Sequence, residues 1–398
     1  MVRLCRALAR SVYAPVNGIP EKQAQMTQPH PARNSILRGL SLWGIWRVAL
    51  SLWGCALWRI GLILPDAGRG WLYGFRPAVE GVRAWLVDLW LRWDTIHYLR
   101  IVSEGYGPDE RSVYFPLYPM LGRTVGALFG GDGLLGLLLV GNLAAVGAFT
   151  LLDRLARVEG RQVESRLVLR SLVCWPTSFL LLAAYPHAVV LFLCLAAYLA
   201  LRGEKPWLAL VCGLAAGLTH STALALMALL IVDVWQARMR WPSYLAAFGP
   251  VFGVAGFMAW RAYAGFPSMG ELISEVWGRT IGVEIGLQGV MTASTWLLRG
   301  WPNLLALLLG GGAVVWSLRR QRFDWASFQA AVLLIPILAA PSFEPLAGLA
   351  RYALIGFPAF FALSRWTASR WARLTCVTIG IAANLYLCGL FLMWGFVG

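Results

Sequence analysis

Gly133-Leu-Leu-Gly-Leu-Leu-Leu-Val-Gly-Asn-Leu-Ala-Ala-Val-Gly-Ala-Phe-Thr-Leu-Leu152 is an uninterrupted stretch without a single charge. Wound as an α-helix at about 1.5 Å per residue, it reaches about 30 Å, the thickness of a bilayer's hydrocarbon core. Trp325–Ala340 and Thr375–Val397 are apolar runs of the same kind. The composition agrees: 59% of the 398 residues are hydrophobic and 13% are charged, about half the charge of an ordinary soluble domain. Too few polar side chains remain to solvate a compact surface. The chain reads as an all-α integral membrane protein, which excludes a soluble enzyme, a secreted disulfide scaffold and a nucleic-acid-binding domain.

Working outward from that stretch, eleven apolar segments follow: 41–64, 133–152, 167–184, 186–201, 206–219, 221–235, 243–264, 295–318, 325–340, 351–364 and 374–397. Pro186 divides 167–201, because proline lacks the donor that a continuing helix needs. Trp207–Trp235 as one helix would span about 44 Å, more than the hydrocarbon, so it divides at His220–Ser221. With the N-terminus inside, the inner connections carry more than twice as many Lys and Arg as the outer ones, as positive-inside insertion requires. The net charge of +15 therefore reports topology and not a nucleic-acid partner.

Seven cysteines include no CxxC pair, and six lie in apolar stretches, so neither a disulfide framework nor a metal cluster is implied. Residues 1–35 are rich in Pro, Gln and Arg, with no apolar core between Arg3, Arg6 and Arg10. They read as a disordered cytosolic tail and not as a cleaved leader, leaving 36–398 as one membrane domain. Lysine occurs only at Lys22 and Lys205, beside 42 Gly and 21 Trp. That bias fits a GC-rich, bacterial genome, and hence a plasma-membrane location.

The longest outer loop is 65–132. In Glu80–Trp93, Val82, Leu86, Leu89 and Trp93 recur at helical spacing with Trp85 and Trp90 beside them, an amphipathic helix suited to the headgroup plane. A second helix is expected over 94–104, stopping at Gly105. Tyr114-Phe115-Pro116-Leu117-Tyr118-Pro119 then reads as a stiff aromatic turn that cannot continue a helix. Asp94 invites two readings: an N-cap of the second helix, or a reactive carboxylate sharing a face with His97 at i, i+3. Three other polar outliers fall at outer helix ends, namely His187, His220 and the pair Glu344 and Arg351. Ionisable groups at such depth face a cavity, a partner or a pathway.

Arg92-Trp93-Asp94-Thr95-Ile96-His97-Tyr98-Leu99, then Gly105-Tyr106 and Tyr114-Phe115-Pro116-Leu117-Tyr118-Pro119, resembles the signature of PIG-V mannosyltransferases, members of the GT-C class of polytopic glycosyltransferases. The likeness continues at Pro176-Thr177-Ser178-Phe179, Ala183-Ala184-Tyr185 and Ala350-Arg351-Tyr352, covering 85–365. It departs at Pro186-His187, where the family has Ser-Glu, and at His220-Ser221, where it has Arg-Ser or Arg-Pro. The resemblance implies a bundle of about eleven spans, a polyprenyl-phosphate sugar donor, a lipid or glycan acceptor, and transfer with inversion at the outer face. It also implies Asp94 as general base, with Arg351, His220 and Arg92 as candidate cations for the leaving phosphate. His97, Tyr98, Tyr118, His187, Glu344 and Tyr352 are further candidates for substrate contact. A lipid donor needs no nucleotide-binding domain, no DxD motif stands where one would serve, and the sequence requires no cofactor or metal. The rival readings are a lipid flippase, which would place polar residues at mid-membrane, and a non-catalytic subunit of a glycan assembly complex. Arg47, Arg59, Asp233, Arg261 and Arg299 lie mostly near helix ends.

Overall fold

The computed structural model describes residues 30–63, 72–78, 80–159, 165–277, 300–338 and 346–395, and their regular structure is helical throughout. Four of these helices are long and apolar enough to cross a membrane: Asn34–Arg59, Gly133–Val158, Trp301–Arg319 and Arg370–Leu392. Trp241–Ala247 and Gly249–Tyr263, bent by 46°, make a fifth if taken as one span. His187–Arg202, Pro206–Gly217, Ser221–Ala237 and Phe323–Leu338 are apolar but shorter.

The chain breaks where proline and the polar outliers stand. Ser165–Val173 ends before Pro176 and gives way to a 3-10 turn at Ser178–Leu181. A new helix starts at His187, directly after Pro186. Pro206–Gly217 stops before His220, and Ser221–Leu224 opens the next helix as a 3-10 turn. The expected 351–364 segment is likewise broken, into Leu349–Tyr352, a 3-10 turn at Ala353–Ile355, and Phe357–Trp366.

Backbones approach closely where Gly213-x3-Gly217 meets Gly249-x3-Gly253. A Cβ on Gly217 would sit 2.2 Å from the Pro250 carbonyl oxygen, and one on Gly253 would sit 2.3 Å from that of Leu214. Small residues four apart are what lets two apolar helices touch without side chains between them.

Polar groups gather at two ends of the bundle. At one, the Tyr198 hydroxyl donates to Asp324 at 2.8 Å and accepts from Arg322 at 2.8 Å, Arg202 at 3.0 Å and Trp325 at 3.2 Å. Arg202 also pairs with Asp233 at 3.0 Å, and Arg322 with Glu159. The other end holds His187, His220, Asp94 and Arg351 around one cavity. His187 and Arg202 begin and end the same helix, so the two ends lie about 22 Å apart.

Three expectations need correction. Residues 30–35, assigned to the disordered tail, belong to the first helix, His30–Arg59; residues 1–29 lie outside the described residues. Within that first helix Ser35 donates to Asp153 at 2.6 Å. Glu80–Trp93 is not one amphipathic helix: Gly81–Leu86 ends and a 3-10 turn, Asp88–Trp90, follows. The Asp88 side chain turns inward, accepting from the Ala78 N–H at 2.8 Å, which leaves Val82 and Leu86 exposed while Leu89 and Trp90 are buried. Finally, Pro116 and Pro119 do not stiffen a turn but open the helix Leu117–Ala127. In a first turn the amide groups have no intrahelical acceptor, so proline loses nothing there.

Candidate functional site

Asp94 opens the helix Asp94–Glu104 from an unusual backbone. Trp93 before it has φ +52° and ψ −128°, a conformation that a bulky L-residue adopts only when its surroundings force it. The Asp94 N–H donates to the Tyr185 hydroxyl at 3.2 Å, and Thr95 donates to the Ala184 carbonyl at 3.2 Å. No side chain caps this helix. The capping reading of Asp94 therefore fails. Its carboxylate instead accepts from Arg351 Nη1 at 2.7 Å, across 257 residues of sequence.

Arg351 is held as firmly as Asp94. Gly348, at φ +84°, turns the chain into Leu349–Tyr352. The Ala350 carbonyl there accepts from Trp175 Nε1 at 3.0 Å and Thr177 Oγ1 at 2.8 Å, while its N–H donates to Asn303 Oδ1 at 2.9 Å. The second guanidinium nitrogen of Arg351 donates to the Tyr352 hydroxyl at 2.8 Å. Both Arg351 and Tyr352 are buried, whereas the Asp94 side chain is 28% exposed. Three segments far apart in sequence thus aim one guanidinium at one carboxylate.

The pair faces a cavity of about 190 Å³. Tyr98, Tyr114 and Phe115 form one wall, His187, His220 and Tyr352 another, and Met269, Ile273, Ile335 and Pro336 an apolar third. The ring centroids of His187, His220 and Tyr352 lie within 5.4 to 6.1 Å of one another. His220 Nδ1 accepts from the Thr222 N–H at 3.2 Å. The same nitrogen lies 3.0 Å from the Thr222 hydroxyl, so the backbone and side chain of Thr222 together orient the ring. His187 is buried, and neither of its ring nitrogens has a hydrogen-bond partner among the described residues. Such a group finds its partner in a ligand or in water.

The other candidates are placed elsewhere. The Arg92 guanidinium is buried away from the cavity, donating to the Leu392 and Leu91 carbonyls at 2.9 Å each and lying over the Trp394 ring. It is an anchor for the C-terminal helix. Tyr118 stands behind Tyr98, edge to face at 5.1 Å, with its hydroxyl on the Leu137 carbonyl at 3.0 Å. His97 stacks on Tyr114 at 5.1 Å and pairs with Glu110 at 3.8 Å. Burial pushes its pKa below 6.5, against the upward pull of Asp94 and Glu110. It meets the cavity lining at the Tyr114 ring without lining the cavity itself. Glu344 lies outside the described residues.

Sequence reasoning named Tyr114 and Tyr185 as parts of the resemblance without a role at the site, and it missed the apolar wall. The wall had a readable signal in Ser268-Met-Gly-Glu271, a capping box opening the helix Met269–Trp277. The Ser268 hydroxyl accepts from the Glu271 N–H at 3.2 Å, and the Glu271 carboxylate accepts from the Ser268 N–H at 3.1 Å. Among the described residues no three of His, Cys, Asp and Glu gather closely enough to hold a metal ion. Chemically, the cavity offers a carboxylate steadied by a fixed cation, two imidazoles, and tyrosine rings of the kind that pack on sugars. No protein-family model matches this chain, and neither the curated proteins nor the solved structures contain a match for it.

Proposed function

We propose that the chain is a polytopic membrane glycosyltransferase of the PIG-V type. In this reading it transfers a hexose, mannose by resemblance, from a polyprenyl phosphate to a hydroxyl of a lipid or glycan acceptor. The observation that carries the reading is the Asp94–Arg351 pair at 2.7 Å, facing a cavity lined by aromatic rings and imidazoles. Arg351 holds Oδ2 of Asp94, and the other carboxylate oxygen takes the proton of the acceptor hydroxyl as it attacks the anomeric carbon. The bond from that carbon to the phosphate oxygen breaks, and the phosphate leaves with the electron pair. Arg351 and His220 meet the growing negative charge, and His187 hydrogen-bonds the bound sugar or phosphate. Inversion follows because attack and departure occur on opposite faces of the sugar.

About eleven spans, an N-terminus in the cytosol of a bacterial cell and a cavity open to the outer face complete the proposal. Purified protein in detergent, given a radiolabelled polyprenyl-phosphate mannose and a lipid extract, is expected to yield a labelled lipid or glycan product. Folded protein that transfers no hexose from any polyprenyl-phosphate donor would contradict the reading.

A further inference from the structure

The helix Asp94–Glu104 has a second side. Asp94 and Tyr98 line the cavity, whereas Leu99, Val102 and Ser103 line a wider groove of about 820 Å³. Arg76, Arg83 and Arg123 border this groove together with Asp88 and Asp132. The charges do not cancel evenly. Arg83 takes both carboxylates, lying 3.3 Å from Asp88 and bonded to Asp132. Burial disfavours charge on Asp132, yet the bonds from Arg83 and the Leu135 N–H hold its carboxyl below the usual range. Arg76 and Arg123 are left over: both are exposed, and neither has an ion-pair partner among the described residues. Phe129, 51% exposed, lines the groove with them, and next to lining residues in sequence stand Leu128, 79% exposed and adjacent to Phe129, and the exposed Val82, adjacent to Arg83.

We propose that this groove binds the headgroup of an anionic phospholipid. Two guanidinium groups that have no ion-pair partner among the described residues suit a phosphodiester, and guanidinium bonds to phosphate are among the strong ones. The exposed Leu128, Phe129 and Val82 supply apolar contact for the acyl chains, as at an interfacial helix. A soluble phosphate would leave those side chains in water, and a zwitterionic lipid would bring a choline cation against two arginines. Charge and apolarity together select an anionic lipid. The inference rests on the membrane reading but not on sugar transfer, because the groove shares no lining residue with the cavity.

Native mass spectrometry of the full chain in a neutral detergent tests it, with phosphatidylglycerol titrated against phosphatidylcholine of the same chains. Phosphatidylglycerol adducts should persist at voltages that strip phosphatidylcholine. In the Arg76→Gln/Arg123→Gln variant they should weaken about 30-fold, taking each cation near an anionic lipid as roughly fivefold. Phe129→Glu, which puts a carboxylate in the groove, should weaken them as well while leaving both arginines. Glycerol phosphate, which lacks acyl chains, should not displace the lipid. Equal retention of the two lipids, unchanged binding by the double variant, or displacement by glycerol phosphate would each overturn the proposal.

Discussion

Removing Arg351 acts on two groups at once. It withdraws the cation assigned to the phosphate, and it also frees the carboxylate that its Nη1 holds at 2.7 Å. Arg351→Ala and Asp94→Asn should therefore be strongly non-additive, since residues in one ion pair couple by about 0.5–3 kcal/mol. Transfer rates of the two single variants and the double variant, placed on one cycle, measure that coupling; simple additivity would mean the pair does not act as a unit. If the pair were only a clasp between two segments, either change would lower thermal stability by up to about 3–5 kcal/mol, as for a buried pair, and spare the surviving protein's turnover. Asp94, Arg351, His187 and His220 were legible because ionisable residues stand out at apolar helix ends. His97 was misplaced for a physical reason: i, i+3 spacing fixes a helix face, but Glu110 and Tyr114 arrive from outside that helix. Tyr185 was visible only as part of a motif, and nothing local in the sequence tied its hydroxyl to the Asp94 N–H.

Three elements make specific demands. Thr177→Val removes one of the two donors on the Ala350 carbonyl, while Trp175 keeps the other. A stability loss of about 1 kcal/mol is expected, with a larger fall in transfer rate, because the turn that aims Arg351 loosens. Thermal melting set beside activity separates the two effects. Gly253→Val forces a side chain toward the Leu214 carbonyl, where even a Cβ would stand at 2.3 Å; protein that still melts at the wild-type temperature would contradict this crossing. His97 makes a pH prediction. Its pKa is below 6.5 in the fold because of burial, so below about pH 6.5 the unfolded chain binds a proton that the folded chain refuses. Stability then falls on acidification through that range, and His97→Gln should flatten the fall in melting temperature between pH 7 and pH 5. The helix 94–104 and its stop at Gly105 were legible from the turn residues after it. Glu80–Trp93 was not, because its periodicity said nothing of Asp88 folding inward to meet Ala78.

At the scale of the molecule, the helix breaks at Pro186 and His220 matter more than the number of spans. They bring His187, His220, Asp94 and Arg351 to one end of the bundle, and Glu159, Arg202, Asp233, Arg322 and Asp324 to the other. Charge counting had assigned those two groups to opposite sides, because basic residues crowd alternate loops. The packing that joins distant segments, such as Asn303 on Ala350, had no trace in local composition. Cysteines introduced at 110 and 204 should label from opposite sides of sealed vesicles; labelling from the same side would overturn the topology. The central claim, that Asp94 is the base of a sugar transfer, is tested most directly by Asp94→Asn in folded, membrane-inserted protein. Asparagine keeps the size of the side chain and an oxygen for Arg351 but takes up no proton. Transfer from polyprenyl-phosphate mannose should fall by about 10²–10⁴-fold, the usual worth of a positioned base, with donor binding retained. Transfer at the wild-type rate by that variant would contradict the claim.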